Sequence, residues 1–283
     1  MSKTPVMILN GEFVSEQDAA VSPVNRGMMY GDGCFETLRF YAGKLLGWNQ
    51  HFDRMKAGLH YLGMEANFDP QELKRSIIRL AQENHLLGKE AIIRIQCWRS
   101  GGRGYNPAST QSNWMVQISE ISPRYEPMEL VVANTRCIPN EALQRQYKLT
   151  NGLNYIKAAQ EASARNADDA LMLTMDKKVS ETTSANIFWV KGDAVFTPSE
   201  ECDLLPGVTR SIVTEVCKNL GISLQEGSFP IKDVLEAESI FCTNSLIEIR
   251  DVVSIDEREF DLDHPITIKI RAGFEAYKAE HLE

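Results

Sequence analysis

The segment from Tyr147 to Trp189 reads YKLTNGLNYIKAAQEASARNADDALMLTMDKKVSETTSANIFW. Lys148 stands just ahead of a helix-like run. Glu181 follows a short hydrophobic, strand-like run, and a polar turn then leads into Asn186, Ile187, Phe188 and Trp189. A lysine becomes a nucleophile toward carbonyl carbon when desolvation or neighbouring charge depresses its pKa. A buried glutamate can hold a heterocyclic nitrogen protonated. One amine and one acid suit a cofactor that brings its own electron sink. Taken singly, a lysine before a helix is more often a solvated surface residue, so the weight falls on the surrounding pattern.

Working outward, 283 residues are enough for one large domain or two modest ones with buried cores. An apolar fraction of 43% and a charged fraction of 24% are ordinary for a globular chain. A formal net charge of -9 argues against a nucleic-acid partner, which calls for a basic face. No apolar run is long enough to span a bilayer. The opening MSKTPVMILNGEFV lacks the apolar core of a signal peptide, which predicts a cytoplasmic protein. Six scattered cysteines without a C-x-x-C pair read as reduced thiols, with no disulfide frame or zinc site. Five dispersed histidines, no H-E-x-x-H and no G-x-S-x-G leave metal and triad hydrolysis without support, and no metal is expected.

Val6 to Leu9, Asn10-Gly11 and Glu12 to Val14 predict a hairpin with a two-residue turn. Phe35 to Tyr41, then Ala42-Gly43 and Leu45, predict a second. Asn49 is expected to cap a helix carrying Phe52, Met55, Leu59 and Leu62. Asp69-Pro70-Gln71-Glu72 starts another, with Leu73, Ile77 and Leu80 inward and Gly88 as its stop. Strands are expected at Ala91 to Trp98 and Trp114 to Ser119 around a glycine-rich loop. The two prolines of residues 121–127 mark a linker between an N-terminal domain, 1–120, and a C-terminal domain, 128–283. Beyond it come strands at Leu130 to Ala133, Leu171, Ile187 and Ser239 to Cys242. Helices follow at Thr209 to Leu220 and after Pro265. The pattern is α+β.

Lys148 with Asn151, then Asp168-Asp169-Ala170-Leu171-Met172-Leu173, then Val179, Glu181, Asn186 and Phe188 resemble the K-x-x-N, D-E-A-L-x-L-D and V-x-E-x-x-x-x-N-x-F motifs of the class IV aminotransferase family. Asp169 replaces the usual Glu and Thr174 the usual Asp. The resemblance implies a two-domain enzyme of pyridoxal phosphate fold type IV, with its cofactor in the cleft between halves and a homodimer sharing the active site. It makes Lys148 the residue that carries the cofactor and Glu181 the partner of the pyridine nitrogen. Leu205-Pro206-Gly207-Val208-Thr209-Arg210 is similar to the family's phosphate loop, placing Val208 and Thr209 at an anion. On its residues alone the segment is more often an ordinary capped helix start. Arg54 matches the family's phosphate arginine, and is otherwise a surface helix charge. Cys242-Thr243-Asn244-Ser245 resembles a second phosphate turn, contributing Asn244 and Ser245.

The substrate side rests on Tyr30-Gly31-Asp32-Gly33-Cys34-Phe35-Glu36-Thr37-Leu38-Arg39 and on Ser100-Gly101-Gly102-Arg103-Gly104-Tyr105. Both are similar to segments of the family's 4-amino-4-deoxychorismate lyases, although the G-D-G of the first and the K-x-x-N spacing are shared with its D-amino-acid enzymes. Tyr30, Phe35, Thr37, Arg39, Arg103 and Leu246 are the substrate candidates this implies. Arginine suits bidentate carboxylate recognition, and Arg103 is expected to meet a substrate carboxylate across the dimer interface. The glycine loop is otherwise a flexible surface hairpin, and Arg39 an outward-facing strand residue. The expected activity is release of 4-aminobenzoate and pyruvate, as in folate synthesis. Transamination of branched-chain or D-amino acids is the alternative; Tyr105-Asn106-Pro107 is similar to the G-x-N-P of branched-chain enzymes, while Asp251 stands where most members of the family have proline. A non-catalytic binding protein on the same fold is a third reading.

Overall fold

The computed structural model describes residues 4–65, 68–122 and 124–283. Pro123, one of the two prolines read as a linker, lies outside them. The chain divides into two compact units, one of Met1–Ser122, Tyr147–Asn151 and Leu282–Glu283, the other of Pro123–Gln146 and Gly152–His281. The short segment bearing Lys148 therefore clusters with the N-terminal unit, although the sequence places it beyond the linker.

In the first unit β1 (Val6–Leu9) turns into β2 (Glu12–Ser15) through Asn10 and Gly11, both at positive φ, as expected of an Asn-Gly hairpin. Next come α1 (Arg26–Tyr30), β3 (Gly33–Tyr41), β4 (Lys44–Leu45) and α2 (Trp48–Tyr61). Then follow α3 (Pro70–Glu83), β5 (Glu90–Arg99) and β6 (Ser112–Glu120). The strands form one antiparallel sheet in the order β2-β1-β6-β5-β3-β4. Alternation in β5 sends Ala91, Ile93, Ile95 and Cys97 into the core. The helices cover that face with Met55 and Leu59 from α2 and Leu73, Ile77 and Leu80 from α3. Asp69 caps α3 by accepting from the Gln71 and Glu72 amides at 2.9 and 3.0 Å. Two expectations fail here. Gly47, not Asn49, precedes α2, because the apolar stripe already begins at Trp48. The third helix ends at Glu83 rather than Gly88, where the Asn84 side chain turns to the Val6 backbone in β1.

The second unit opens with β7 (Met128–Arg136), α4 (Leu153–Ala164), β8 (Asp169–Leu173), β9 (Val179–Thr182), β10 (Asn186–Lys191) and β11 (Ala194–Pro198). It continues with α5 (Val208–Asn219), β12 (Ser223–Gly227), α6 (Ile231–Leu235), β13 (Ser239–Asn244), β14 (Glu248–Ile255), β15 (Arg258–Glu259) and α7 (Pro265–His281). Its mixed sheet runs β12-β11-β10-β13-β14-β7-β8-β9, with β15 on β14. Both faces are covered, so β8 is buried throughout. Ala170 and Met172 join Ala158 and Ala162 of α4, while Leu171 and Leu173 enter a second core with Ile187, Ile240 and Val252. Among the described residues no helix is long and apolar enough to cross a membrane.

Candidate active site

The backbone around Lys148 is tied to β3. Tyr147–Asn151 runs beside the start of β3: the Phe35 amide donates to the Lys148 carbonyl at 2.9 Å and the Thr150 amide to the Gly33 carbonyl at 2.9 Å. The Thr150 hydroxyl donates to the Gly31 carbonyl at 2.6 Å. Gly33 is required by close approach on its other side, where a Cβ would lie 2.3 Å from the Cys97 carbonyl oxygen.

The lysine amine lies over the Phe35 ring, 4.8 Å from its centroid, and the Arg94 guanidinium carbon lies 4.0 Å from the same centroid. Strand register explains the meeting: Phe35 is opposite Gln96 and Thr37 opposite Arg94, so these four share one face of the sheet. Arg94 donates from Nε and Nη2 to Gln96 Oε1 at 3.1 and 3.0 Å, and burial pushes its pKa down. Arg39, a substrate candidate, is buried, paired with Glu90 and stacked over Tyr41 at 5.0 Å.

Glu36 points to the opposite, helix-covered face. It accepts from Arg54 Nε and Nη2 at 2.7 and 2.8 Å, and lies 2.7 Å from His51 Nδ1. Burial would raise the Glu36 pKa, but the charges and hydrogen bonds of Arg54 and His51 more than offset it, leaving it at about 2. The His51 pKa is lowered, first by burial and further by the charges of Arg54 and Lys148, against the pull of Glu36. A neutral His51 must then carry its proton on Nδ1 to meet the Glu36 carboxylate. Arg54 is thus no loose surface charge: a buried ion pair fixes its guanidinium.

The segment from Gly101 to Tyr105 is exposed, Arg103 with it. Tyr30, a substrate candidate, accepts from the Gly104 amide at 2.9 Å and packs its ring 5.6 Å from that of Tyr105.

In the second unit Glu181 is 5% exposed and ringed by donors. Its Oε1 accepts from the Tyr155 hydroxyl at 2.8 Å; Oε2 accepts from Asn186 Nδ2 at 3.2 Å and from the Leu205 amide at 3.1 Å. All three of these donors are neutral groups. Burial first, then the neighbouring Glu181 charge, push the Tyr155 pKa well up, so the phenol stays a donor. Arg145 donates in turn to Tyr155, with its guanidinium carbon 5.0 Å from the ring centroid.

Asn186 also donates to the Leu205 carbonyl at 2.9 Å, tying the β9–β10 turn to the loop before α5. Val208 and Thr209 form the first turn of α5 and are buried, behind an N-cap Gly207 that supplies no capping side chain. A Cβ on Gly207 would fall 2.2 Å from Asn186 Oδ1. Arg210 of the same motif is structural, donating to the Pro198 carbonyl at 2.9 Å and pairing with Glu226 at 2.7 Å. Asn244 folds its own turn, accepting from the Leu246 and Ile247 amides at 2.8 and 2.9 Å, with Ser245 between.

Several buried polar atoms of this unit have no partner: Arg145 Nε and Nη1, both polar atoms of the Asn154 amide, and Thr243 Oγ1. Thr243 stands opposite Asn186 in the β10–β13 ladder, on the same face. Buried polar atoms are almost always satisfied. Orphan donors beside a carboxylate and an uncapped helix start therefore fit a polar, anionic heteroaromatic ligand. Sequence reasoning missed Glu36, His51, Arg94, Arg145 and Tyr155. Only His51 carried a signal, lying three residues before Arg54 on one helix face.

A sequence profile of the amino-transferase class IV family matches residues 33–255. The chain belongs to that family. It is 32% identical over 249 residues to an aminodeoxychorismate lyase of Vibrio harveyi, covering 86% of this chain and 90% of the relative. The branched-chain aminotransferase of Thermoproteus uzoniensis, solved with norvaline, superposes with a TM-score of 0.93 at 25% identity, covering 99% of both chains. The T.th. branched-chain amino acid aminotransferase, complexed with N-(5'-phosphopyridoxyl)-L-glutamate, gives a TM-score of 0.90 at 25% identity over 100% of this chain and 99% of the other. The class IV fold and an enzymatic role follow from the family.

Proposed function

We propose that the protein is a pyridoxal phosphate enzyme that converts 4-amino-4-deoxychorismate to 4-aminobenzoate and pyruvate. The observation that carries the reading is the Phe35 face of the first sheet, where the Lys148 amine and the Arg94 guanidinium flank one ring. An amine whose reach is set by backbone bonds, with a cation beside it, suits a substrate that carries both an amino group and a carboxylate. The likeness to the Vibrio harveyi lyase and the Ser100–Tyr105 motif support the choice of substrate.

The cofactor, when bound, supplies the sink for the electrons released at the substrate carbon. Lys148 carries it through the ε-amine and, displaced by the substrate amine, takes the proton from the adjoining carbon. Glu181, which accepts from Tyr155, Asn186 and the Leu205 amide, keeps a proton on the ring nitrogen. Arg54, Val208, Thr209, Asn244 and Ser245 serve the phosphate, and Arg94 and Arg103 the substrate carboxylates. Exposed Met28 and Tyr105, 73% and 91% accessible, support a homodimer in which the Arg103 loop serves the neighbouring copy.

Purified protein supplied with aminodeoxychorismate made in situ, and no keto acid, should form 4-aminobenzoate and pyruvate in equal amounts. Absence of both from cofactor-loaded protein would sink the lyase reading. Transamination is the second reading, favoured by the superposition on the Thermoproteus uzoniensis enzyme. It would show as conversion of the cofactor to its amine form by an amino acid alone.

A further inference from the structure

Arg26 is 4% exposed, yet it belongs neither to the Lys148 segment nor to the phosphate motifs. Its Nε donates to Asp32 Oδ2 at 2.6 Å. The same carboxylate oxygen accepts from Arg99 Nε at 2.9 Å. One acid thus orients two guanidinium groups, and both reach the loop between β5 and β6. Arg26 Nη1 donates to the Gly102 carbonyl at 3.0 Å and to the Gly104 carbonyl at 2.7 Å. Arg99 Nη1 donates to the Ser109 carbonyl at 2.9 Å, at the far end of the same loop. Tyr30 completes the hold by accepting from the Gly104 amide, and Arg26 lies 4.9 Å from the Tyr30 ring centroid.

These contacts bracket one residue. The carbonyls on either side of Arg103 are fixed by a single guanidinium nitrogen, and the following amide by a phenol. The Arg103 side chain itself is exposed. Gly104 at φ +97 lets both its carbonyl and its amide face the clamp, a conformation other residues rarely adopt. An exposed, glycine-rich loop would otherwise sample many conformations, and ordering it on ligand binding would subtract from affinity. Buried charges are costly to keep. Arg26 directs its charge at the backbone beside another arginine.

We infer that Arg26, oriented by Asp32, and Tyr30 are positioning residues that preset the Arg103 backbone and so set how strongly Arg103 captures a substrate carboxylate. This rests on the proposed role of Arg103. The clamp makes the loop part of the binding site before any ligand arrives. Arg26→Lys keeps the charge opposite Asp32 but cannot span two carbonyls and a carboxylate with one fork. A merely structural Arg26 is rescued by Lys; a positioning one is not.

Hydrogen exchange of the 99–111 peptide and steady-state kinetics with aminodeoxychorismate, both on cofactor-loaded protein, provide the test. Arg26→Lys should speed exchange of the peptide about tenfold and raise KM about tenfold, with kcat within about twofold. Tyr30→Phe, which deletes only the contact to the Gly104 amide, should speed exchange at that amide and raise KM about threefold. Arg103→Ala should raise KM, and adding Arg26→Lys to it should raise KM no further. Wild-type exchange and KM in Arg26→Lys, with KM raised in Arg103→Ala, would overturn this inference alone. An unchanged KM in Arg103→Ala would bring down the role of Arg103 itself, and this inference with it.

Discussion

The two units solve one electrostatic problem differently. Around Lys148 the first unit uses charged groups: the Glu36 carboxylate is matched by the Arg54 guanidinium and hydrogen-bonded to a neutral His51 on one face, and Arg94 shares the Phe35 ring with the lysine on the other. Around Glu181 the second unit uses neutral donors, a phenol, an amide side chain and a backbone N–H, with Arg145 held one residue back behind Tyr155. Charge pairs fix a side chain firmly but unbalance it badly when one member is lost. Hydrogen bonds from neutral donors favour the ionised form of a carboxylate. The first arrangement suits the phosphate role proposed for Arg54, and the second the ring-nitrogen role proposed for Glu181.

Substitutions can break that contrast, and the largest effect falls on chemistry. Lys148→Ala should lower turnover by about a thousandfold or more while leaving the urea midpoint in place, since the backbone bonds to β3 survive. Next comes Glu36→Ala, which strands Arg54 and His51 and should cost about 3–5 kcal/mol in urea unfolding. A cost below about 1 kcal/mol would show that the cluster is better solvated than its burial implies.

The same cluster predicts an acid-labile first unit. Glu36 has its pKa lowered from 4.5 to about 2 on folding. Its contribution is therefore complete above about pH 4.5 and drains away as pH falls toward 2, a difference of about 3 kcal/mol. His51 adds to the slope in the same direction, because its lowered pKa makes protonation favour the unfolded chain below pH 6.5. Glu36→Gln should flatten the fall in urea midpoint between pH 5 and pH 3; an unaltered slope would remove Glu36 as its source. The smallest effect is expected at the neutral site. Tyr155→Phe deletes one hydrogen bond to a charged carboxylate, which should cost about 2 kcal/mol.

Much of the frame was legible from local signals. Asn10-Gly11 announces its turn and Asp69-Pro70 its helix, because each acts through neighbouring residues. The short α1 and α6, and the exposed strand β12, carry no periodicity long enough to read. Lys148 and Glu181 stood out through their surrounding motifs. Their supports did not, because sheet register and helix packing bring together residues far apart in sequence: Phe35 with Arg94, Glu36 with Arg54, Arg26 with Gly104, Tyr155 with Glu181. For Arg39 and Tyr30, given a substrate role by motif position, the structure adds partners that the motif does not show: Glu90 for Arg39 and the Gly104 amide for Tyr30.

The central claim, that Lys148 is the amine that carries the cofactor, has a direct test. Protein incubated with pyridoxal phosphate would be reduced with borohydride, digested, and mapped by mass spectrometry for the pyridoxyl group. One modified residue is expected, Lys148. Modification of another lysine at full occupancy, or none at all, would contradict it.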